Sequence, residues 1–320
     1  MTHKRRVLVT GAAGFLGSHL ADALLDRGCE VVGADDFSTS DPGSKHHIDL
    51  ISRPRFSFRE VNIAEPGALL AAVGSRFHAV FNMACPASPP AYQRLPMHTL
   101  MTSVIGVASC LHIAKRADCV LVHASTSEVY GDPTVSPQDE SYVGRVNTWG
   151  PRACYDEGKR AAEAMLWIAR SEGHDVRLAR IFNTYGPRMM LGDGRIVTEL
   201  MRSALSGSPV AIHGDGSQTR SLCYVSDLIS GLLALHHAPC TPDHPVNLGN
   251  PHEVSILELA ETVQRVTGRH LNITFGPRLI DDPTNRRPDI TIASNDLGWS
   301  PLVELDDGLR MTYQSYRDVR

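Results

Sequence analysis

Short apolar runs separated by helical patterns recur through the first half of the chain. Val7-Leu8-Val9-Thr10 is one such run; glycines follow it, then Phe15, Leu16, Leu20, Ala23 and Leu24 fall at helical spacing, and Val31-Val32-Gly33-Ala34 is a second run. The order is strand, helix, strand. Further runs at 79–83 and 120–123 alternate with helical patterns such as Met97, Leu100, Met101, Val104, Ala108 and Leu111. Runs without polar alternation, separated by helices, predict a parallel sheet covered on both faces, a doubly wound α/β fold. After about Ile181 the texture changes to Gly- and Pro-rich segments such as GPRMMLGDGR, HGDGSQTR and DDPTNRRPD, interrupted by helices predicted over 196–205 and 256–266. Loops of that composition suit a smaller lobe shaped around a ligand. The expected organisation is a first domain over 1–180, with a segment returning to it near 210–235, and a lobe over 181–320.

Composition narrows the partners. The 320 residues are 42% hydrophobic, enough to fill a sizeable core, and the formal charge is -4 with no block of like charge beyond Lys4-Arg5-Arg6. Nucleic acid and a membrane surface are therefore not expected as main partners. Seven cysteines without a CxxC pair and fifteen histidines without HExxH spacing give neither a disulfide framework nor a metal site. No apolar run approaches the roughly 20 residues that span a bilayer, and Arg5-Arg6 leads straight into a strand, so a cytoplasmic protein is expected.

Gly11-Ala-Ala-Gly14-Phe15-Leu16-Gly17 stands directly after the first strand and opens a helix. Glycines there let a backbone approach a pyrophosphate, and the helix N-terminus offers free N–H groups to its charge. Asp35 ends the second strand 18 residues past Gly17, near the spacing of about 20 at which a carboxylate meets an adenosine ribose. A carboxylate at that point repels a 2′-phosphate, so NAD is the expected cofactor.

Two further features carry chemistry. The run beginning at Val120 leads into Thr126, Ser127 and Glu128, an unusual polar trio for the end of a core strand, and Tyr155 and Lys159 lie four apart on a predicted helix face. An ammonium beside a phenol favours the phenolate, which makes Tyr155 a candidate base with a lowered pKa.

TGAAGFLG, STSEVYGD and YDEGK together resemble the extended short-chain dehydrogenase/reductase superfamily acting on nucleotide sugars. CPASPP, TSEVYGDP, GPRACYDEGKR, ARIFNTYGPRM, GDGSQTR, VNLGNP and RRPDI narrow the resemblance, over nearly the whole chain, to the UDP-glucuronate decarboxylases. That resemblance implies a Rossmann domain with tightly bound NAD and a C-terminal nucleotide-sugar lobe. The implied reaction is oxidation at C4, loss of the C6 carboxylate as carbon dioxide, and release of UDP-4-keto-pentose or, after re-reduction, UDP-xylose. Thr126, Ser127, Glu128, Tyr155, Lys159 and Arg286 are the implied catalytic set, with Arg286 the cation for the carboxylate and Arg152 the next candidate. Gly11, Gly14, Phe15, Leu16, Gly17, Asp35, Asn62 and Ile63, with Tyr155 and Lys159, are implied at NAD. Pro86, Ser88, Glu128, Asn183, Arg195, Arg220, Tyr224 and Arg286 are implied at the UDP-sugar. Related 4,6-dehydratases have Asp where Ser127 stands, and an aspartate would repel a carboxylate substrate. A dehydratase or 4-epimerase is the alternative, with a non-catalytic NAD sensor behind both. Two positions depart from the family: Cys85 replaces a serine, and Asn62 precedes Ile63 where Asp is usual. The resemblance also implies a homodimer packed through a four-helix bundle, for which the apolar faces around Leu100, Val104, Leu111, Met165 and Ile168 are suited.

Overall fold

The computed structural model describes residues 5–277 and 285–318. Its centre is a seven-stranded parallel sheet: β1 (Arg6–Thr10), β2 (Glu30–Asp35), β3 (Phe56–Glu60), β4 (Ala79–Asn82), β5 (Val120–Thr126), β6 (Val176–Ile181) and β7 (Val246–Leu248), in the spatial order β7-β6-β5-β4-β1-β2-β3. Strand order reverses between β1 and β4, which opens a crevice at the carboxyl edge where a ligand fits. Alternation along each strand divides the core. Val7 and Val9 face one buried cluster, whereas Leu8, Val80 and Leu121 face the other.

On the first face lie α1 (Phe15–Asp26) and a helix from later in the chain, here α5 (Val225–His237); on the opposite face lie α2 (Pro96–Ala117) and α3 (Ala153–Ser171). The return expected near 210–235 overlaps α5, and β7 follows it into the sheet. A π turn over Thr102–Gly106 interrupts α2 where it meets α3, and a Cβ on Gly158 would stand 3.0 Å from Ser103 Cβ. Glycine there sets how closely α3, and with it Tyr155 and Lys159, approaches α2. By length and composition α2 is apolar enough to cross a membrane, which corrects the expectation that no segment approaches that length. The helical continuation through Ser109, His112 and Lys115 lengthens the apolar stretch beyond its longest uninterrupted run, and half of its most apolar window is buried inside the molecule.

Outside the sheet lie α4 (Ile196–Ser206) and α6 (Ile256–Thr267), close to the predicted spans, and each ends at a left-handed glycine, Gly207 or Gly268. Ser255 and Glu258 form a reciprocal capping box at the start of α6. Residues Val210–His213 pair with Ile273–Gly276, and Thr219–Ser221 with Glu253–Ser255, outside the main sheet. The chain closes with α7 (Leu305–Asp318). All seven cysteines are free, and the described residues contain no His/Cys/Asp/Glu group that could hold a metal.

Candidate active site

The glycine turn between β1 and α1 is built by three different constraints. Gly11 adopts φ +70° with its missing Cβ only 2.8 Å from Ala84 N, and a Cβ on Gly17 would stand 2.0 Å from Gly11 O. Those two are required by the turn and by the close approach of α1. Gly14, by contrast, would meet only Gly11 O at 3.3 Å within the chain, which leaves its outer side open to a phosphate. Asp35 lies beside this turn, its carboxylate accepting from Ala13 N at 3.0 Å, Phe37 N at 2.9 Å and Ser40 Oγ at 3.0 Å. Burial raises its pKa, and these three donors oppose the rise. An open glycine cradle with a fixed carboxylate at the end of β2 fits a dinucleotide carrying a free ribose diol. Asn62 caps the loop after β3 by accepting from Ala64 N, and Ile63 is buried against Gly106.

A cavity of about 620 Å³ runs from this turn to the start of α4 and the 209–222 segment. Phe15, Leu16, Thr126, Ser127, Glu128, Tyr155, Lys159, Asn183, Arg195, Arg220 and Arg286 all line it, so residues spread over most of the chain converge as expected. Three expected substrate residues do not line it. Tyr224 is buried edge-on to Tyr185, 5.6 Å between ring centroids, because α7 covers it at Gly308. Pro86 and Ser88 are also buried, Ser88 capping the turn Pro89–Arg94 with its carbonyl, and Cys85, Ala87 and Pro89 face the cavity in their place.

Thr126 answers why a core strand ends on polar residues. Its Oγ1 accepts from Glu128 N at 3.2 Å, capping the single 3-10 turn Ser127–Tyr130, and its hydroxyl stands where it favours ionisation of the Tyr155 phenol. Lys159 Nζ donates to Ala124 O at 2.6 Å and lies 5.9 Å from the Tyr155 ring centroid. Tyr155 is stacked on Tyr92 at 5.3 Å with 10° between the planes. Contrary to the expected lowering, burial pushes the Tyr155 hydroxyl up, with Cys85 adding to the rise and Thr126 opposing it. Lys159 is itself lowered by burial, its ammonium committed to a strand carbonyl. The pair is positioned for proton transfer but not charged for it by the protein alone.

Glu128 is the electrostatic centre. Arg286 grips it with both guanidinium nitrogens, Nη2 to Oε2 at 2.7 Å, and Arg152 Nη2 donates to the same Oε2 at 2.5 Å. Burial would raise this carboxyl, yet the two arginines overcome it and hold the pKa below the usual glutamate value. Arg286 also reaches Asn183 Oδ1 at 3.5 Å. Its segment is strapped in place by Gln138, whose N–H donates to Arg287 O at 2.8 Å and whose Oε1 accepts from Arg287 N at 2.9 Å. Tyr130 and Asn247 extend this brace at 2.8 Å, with Arg180 and Glu163 behind them. Arg195 pairs with Asp193 at 2.7 Å, and Arg220 donates to Thr219 O at 2.7 Å.

Sequence reasoning missed Asp156, Tyr92 and Gln138, and named Arg152 only second. Arg152 and Asp156 stand four apart at the start of α3, a visible signal; the other two carry none.

Comparison with known proteins places these features among relatives. Residues 7–249 match the NAD dependent epimerase/dehydratase family. UDP-glucuronic acid decarboxylase 1 of Danio rerio is 46% identical over 98% of this chain and 73% of its own length, and UDP-glucuronic acid decarboxylase 1 of Arabidopsis thaliana is 46% identical over 98% and 70%. Among solved structures, the UDP-glucuronic acid 4-epimerase of Bacillus cereus, in complex with UDP-glucuronic acid and NAD, superposes with a TM-score of 0.87 at 27% identity, covering 98% of this chain and 100% of that one. The UDP-glucose 4-epimerase of Thermotoga maritima gives 0.88 at 27% identity, covering 98% and 99%.

Proposed function

The chain belongs to the NAD-dependent epimerase/dehydratase family, and from that premise we propose that it is an NAD-dependent UDP-glucuronate decarboxylase. The observation that carries this reading is the buried Glu128 with two arginines at the wall that Thr126, Tyr155 and Lys159 share. An epimerase acting on a neutral sugar has no need of paired guanidinium groups beside its reacting carbon, whereas a carboxylate substrate does.

Bound NAD supplies the oxidant that withdraws a hydride from the sugar C4 and the reductant that restores it. The Tyr155 hydroxyl, steered by Thr126, accepts the C4 hydroxyl proton when ionised, and Lys159 is the neighbouring cation that can stabilise that ionisation once a substrate displaces the resting geometry. Gly14, on the turn that Gly11 and Gly17 shape, would face the pyrophosphate, and Asp35 would hold the ribose. A ketone at C4 is two carbons from the C6 carboxylate, so the electrons released on losing carbon dioxide enter an enolate. Arg286 and Arg152 orient the carboxylate; Ser127 contributes a hydrogen bond without adding negative charge. Arg195 and Arg220 suit the diphosphate. The products are UDP-4-keto-pentose and UDP-xylose.

Exposed apolar side chains at the start of α2 and on α3 support a homodimer. Met97 is 65% exposed, Trp167 67% and Ile168 53%, and four such helices from two copies would cover them. The seven free thiols suit a reducing compartment, which favours the cytoplasm.

Incubation of the purified protein with UDP-glucuronate should release carbon dioxide with no sustained consumption of added NAD. Absence of release, with turnover of a neutral UDP-hexose instead, contradicts the reading.

A further inference from the structure

The carboxylate wall contains a fourth charged group that the chemistry above does not use. Asp156 is 6% exposed, its Oδ2 lies 3.7 Å from Arg152 Nε, and its Oδ1 has no hydrogen-bond partner. Asp156 follows Tyr155 on α3 but is absent from the cavity lining, so it acts on a ligand only through Arg152 and Glu128.

Counting charge gives it a role. Arg152 and Arg286 are two cations; Glu128 and Asp156 are two potential anions, and the group is balanced before any ligand enters. A hexuronate carboxylate is a third anion, brought into a site where burial makes an uncompensated charge costly. We propose that Asp156 is the positioning residue that resolves this excess: it takes up one proton when a carboxylate-bearing nucleotide sugar binds, and so leaves Arg152 and Arg286 for the substrate. A neutral hexose requires no such uptake, so the same residue favours acids over neutral sugars. This rests on the decarboxylase reading.

The neighbours leave Asp156 as the group able to respond. Glu128, from the turn after β5, is held ionised by the arginines. Tyr92, from Pro89–Arg94, and Cys154 and Tyr155, on α3, are pushed up by burial. Arg286, from the 285–289 segment, and Arg152 are its cations, and Glu157 adds negative charge from its own helix. Burial first, then Glu128, raise Asp156 from 3.8 to about 7, with both arginines opposing. The stored proton also matches the overall balance. The C5–C6 bond breaks, its electron pair enters the enolate, carbon dioxide leaves, and C5 gains one proton, so each turnover consumes one proton.

Calorimetric titration of the Tyr155→Phe holoenzyme at pH 7.5, in two buffers of different ionisation enthalpy, reads the uptake directly. UDP-glucuronate should bind with net uptake of up to one proton per site, UDP-glucose with none, and the additional change Asp156→Asn should abolish the uptake. In the parent enzyme KM for UDP-glucuronate should climb by up to about tenfold per pH unit above 7, and in Asp156→Asn it should be flat. Uptake that persists in Asp156→Asn overturns the proposal. If that variant does not retain NAD, a parent KM independent of pH between 6 and 8.5 overturns it equally. Normal carbon dioxide release by the parent, with no proton uptake on binding to Tyr155→Phe, sinks this inference alone; no release at all sinks the decarboxylase reading.

Discussion

Tyr155 sits at the point where geometry and protonation diverge. Tyr155→Phe removes only the hydroxyl that Thr126 engages; turnover should fall on the order of 10²-fold or more with NAD still bound, and near-normal turnover measured on the NAD-loaded variant would show that another group moves the proton. Asp156 has a separate signature in stability. Its carboxyl titrates near 3.8 when unfolded and at about 7 when folded, so between those values the folded chain binds more protons and stability declines as pH rises. Asp156→Asn should gain most over its parent at pH 8 and least at pH 5 in paired thermal melts; a constant difference would assign that ionisation elsewhere. Arg286→Ala leaves Glu128 on Arg152 alone, and KM for UDP-glucuronate should rise about tenfold or more. Unchanged steady-state kinetics would move the substrate carboxylate to Arg152. Tyr155 and Lys159 were legible because helical spacing puts them on one face. Asp156 was not, since its role depends on Glu128 and Arg286, which only the fold brings to α3.

The elements that carry the site were read most reliably where backbone geometry leaves one residue type. Gly17 is such a position, since any Cβ there would stand 2.0 Å from Gly11 O. Gly17→Ala should therefore lose bound NAD and melt earlier, and a variant that purifies with its full NAD absorbance contradicts the account of the turn. Helices α4 and α6 were legible as the two helical patterns at 196–205 and 256–266, and the structure adds the glycines that stop them. The π turn in α2 was not: it lies where Ser103 packs against Gly158, a contact between residues 55 apart that no local pattern marks. Tyr224, Pro86 and Ser88 failed for a related reason. A motif fixes which loop approaches the cavity, but whether a given side chain faces it depends on what packs behind, here α7 and the Pro89–Arg94 turn.

For the whole molecule, the doubly wound sheet was visible in the alternation of runs. The return through α5 and β7 depends on tertiary pairing. The proposed dimer makes a prediction at this scale: Trp167→Asp with Ile168→Asp should yield a monomer in light scattering, and a parent that is itself monomeric would remove the four-helix arrangement. The central claim is that a site built for oxidation at C4 uses it to expel the C6 carboxylate. Turnover of UDP-glucuronate in D₂O, followed by NMR of the isolated products, tests that claim most directly. UDP-xylose carrying one deuterium at C5, with its original C4 hydrogen retained and one equivalent of carbon dioxide released, is the predicted outcome. A UDP-hexuronate inverted at C4, with its carboxylate intact and no deuterium at C5, would contradict it.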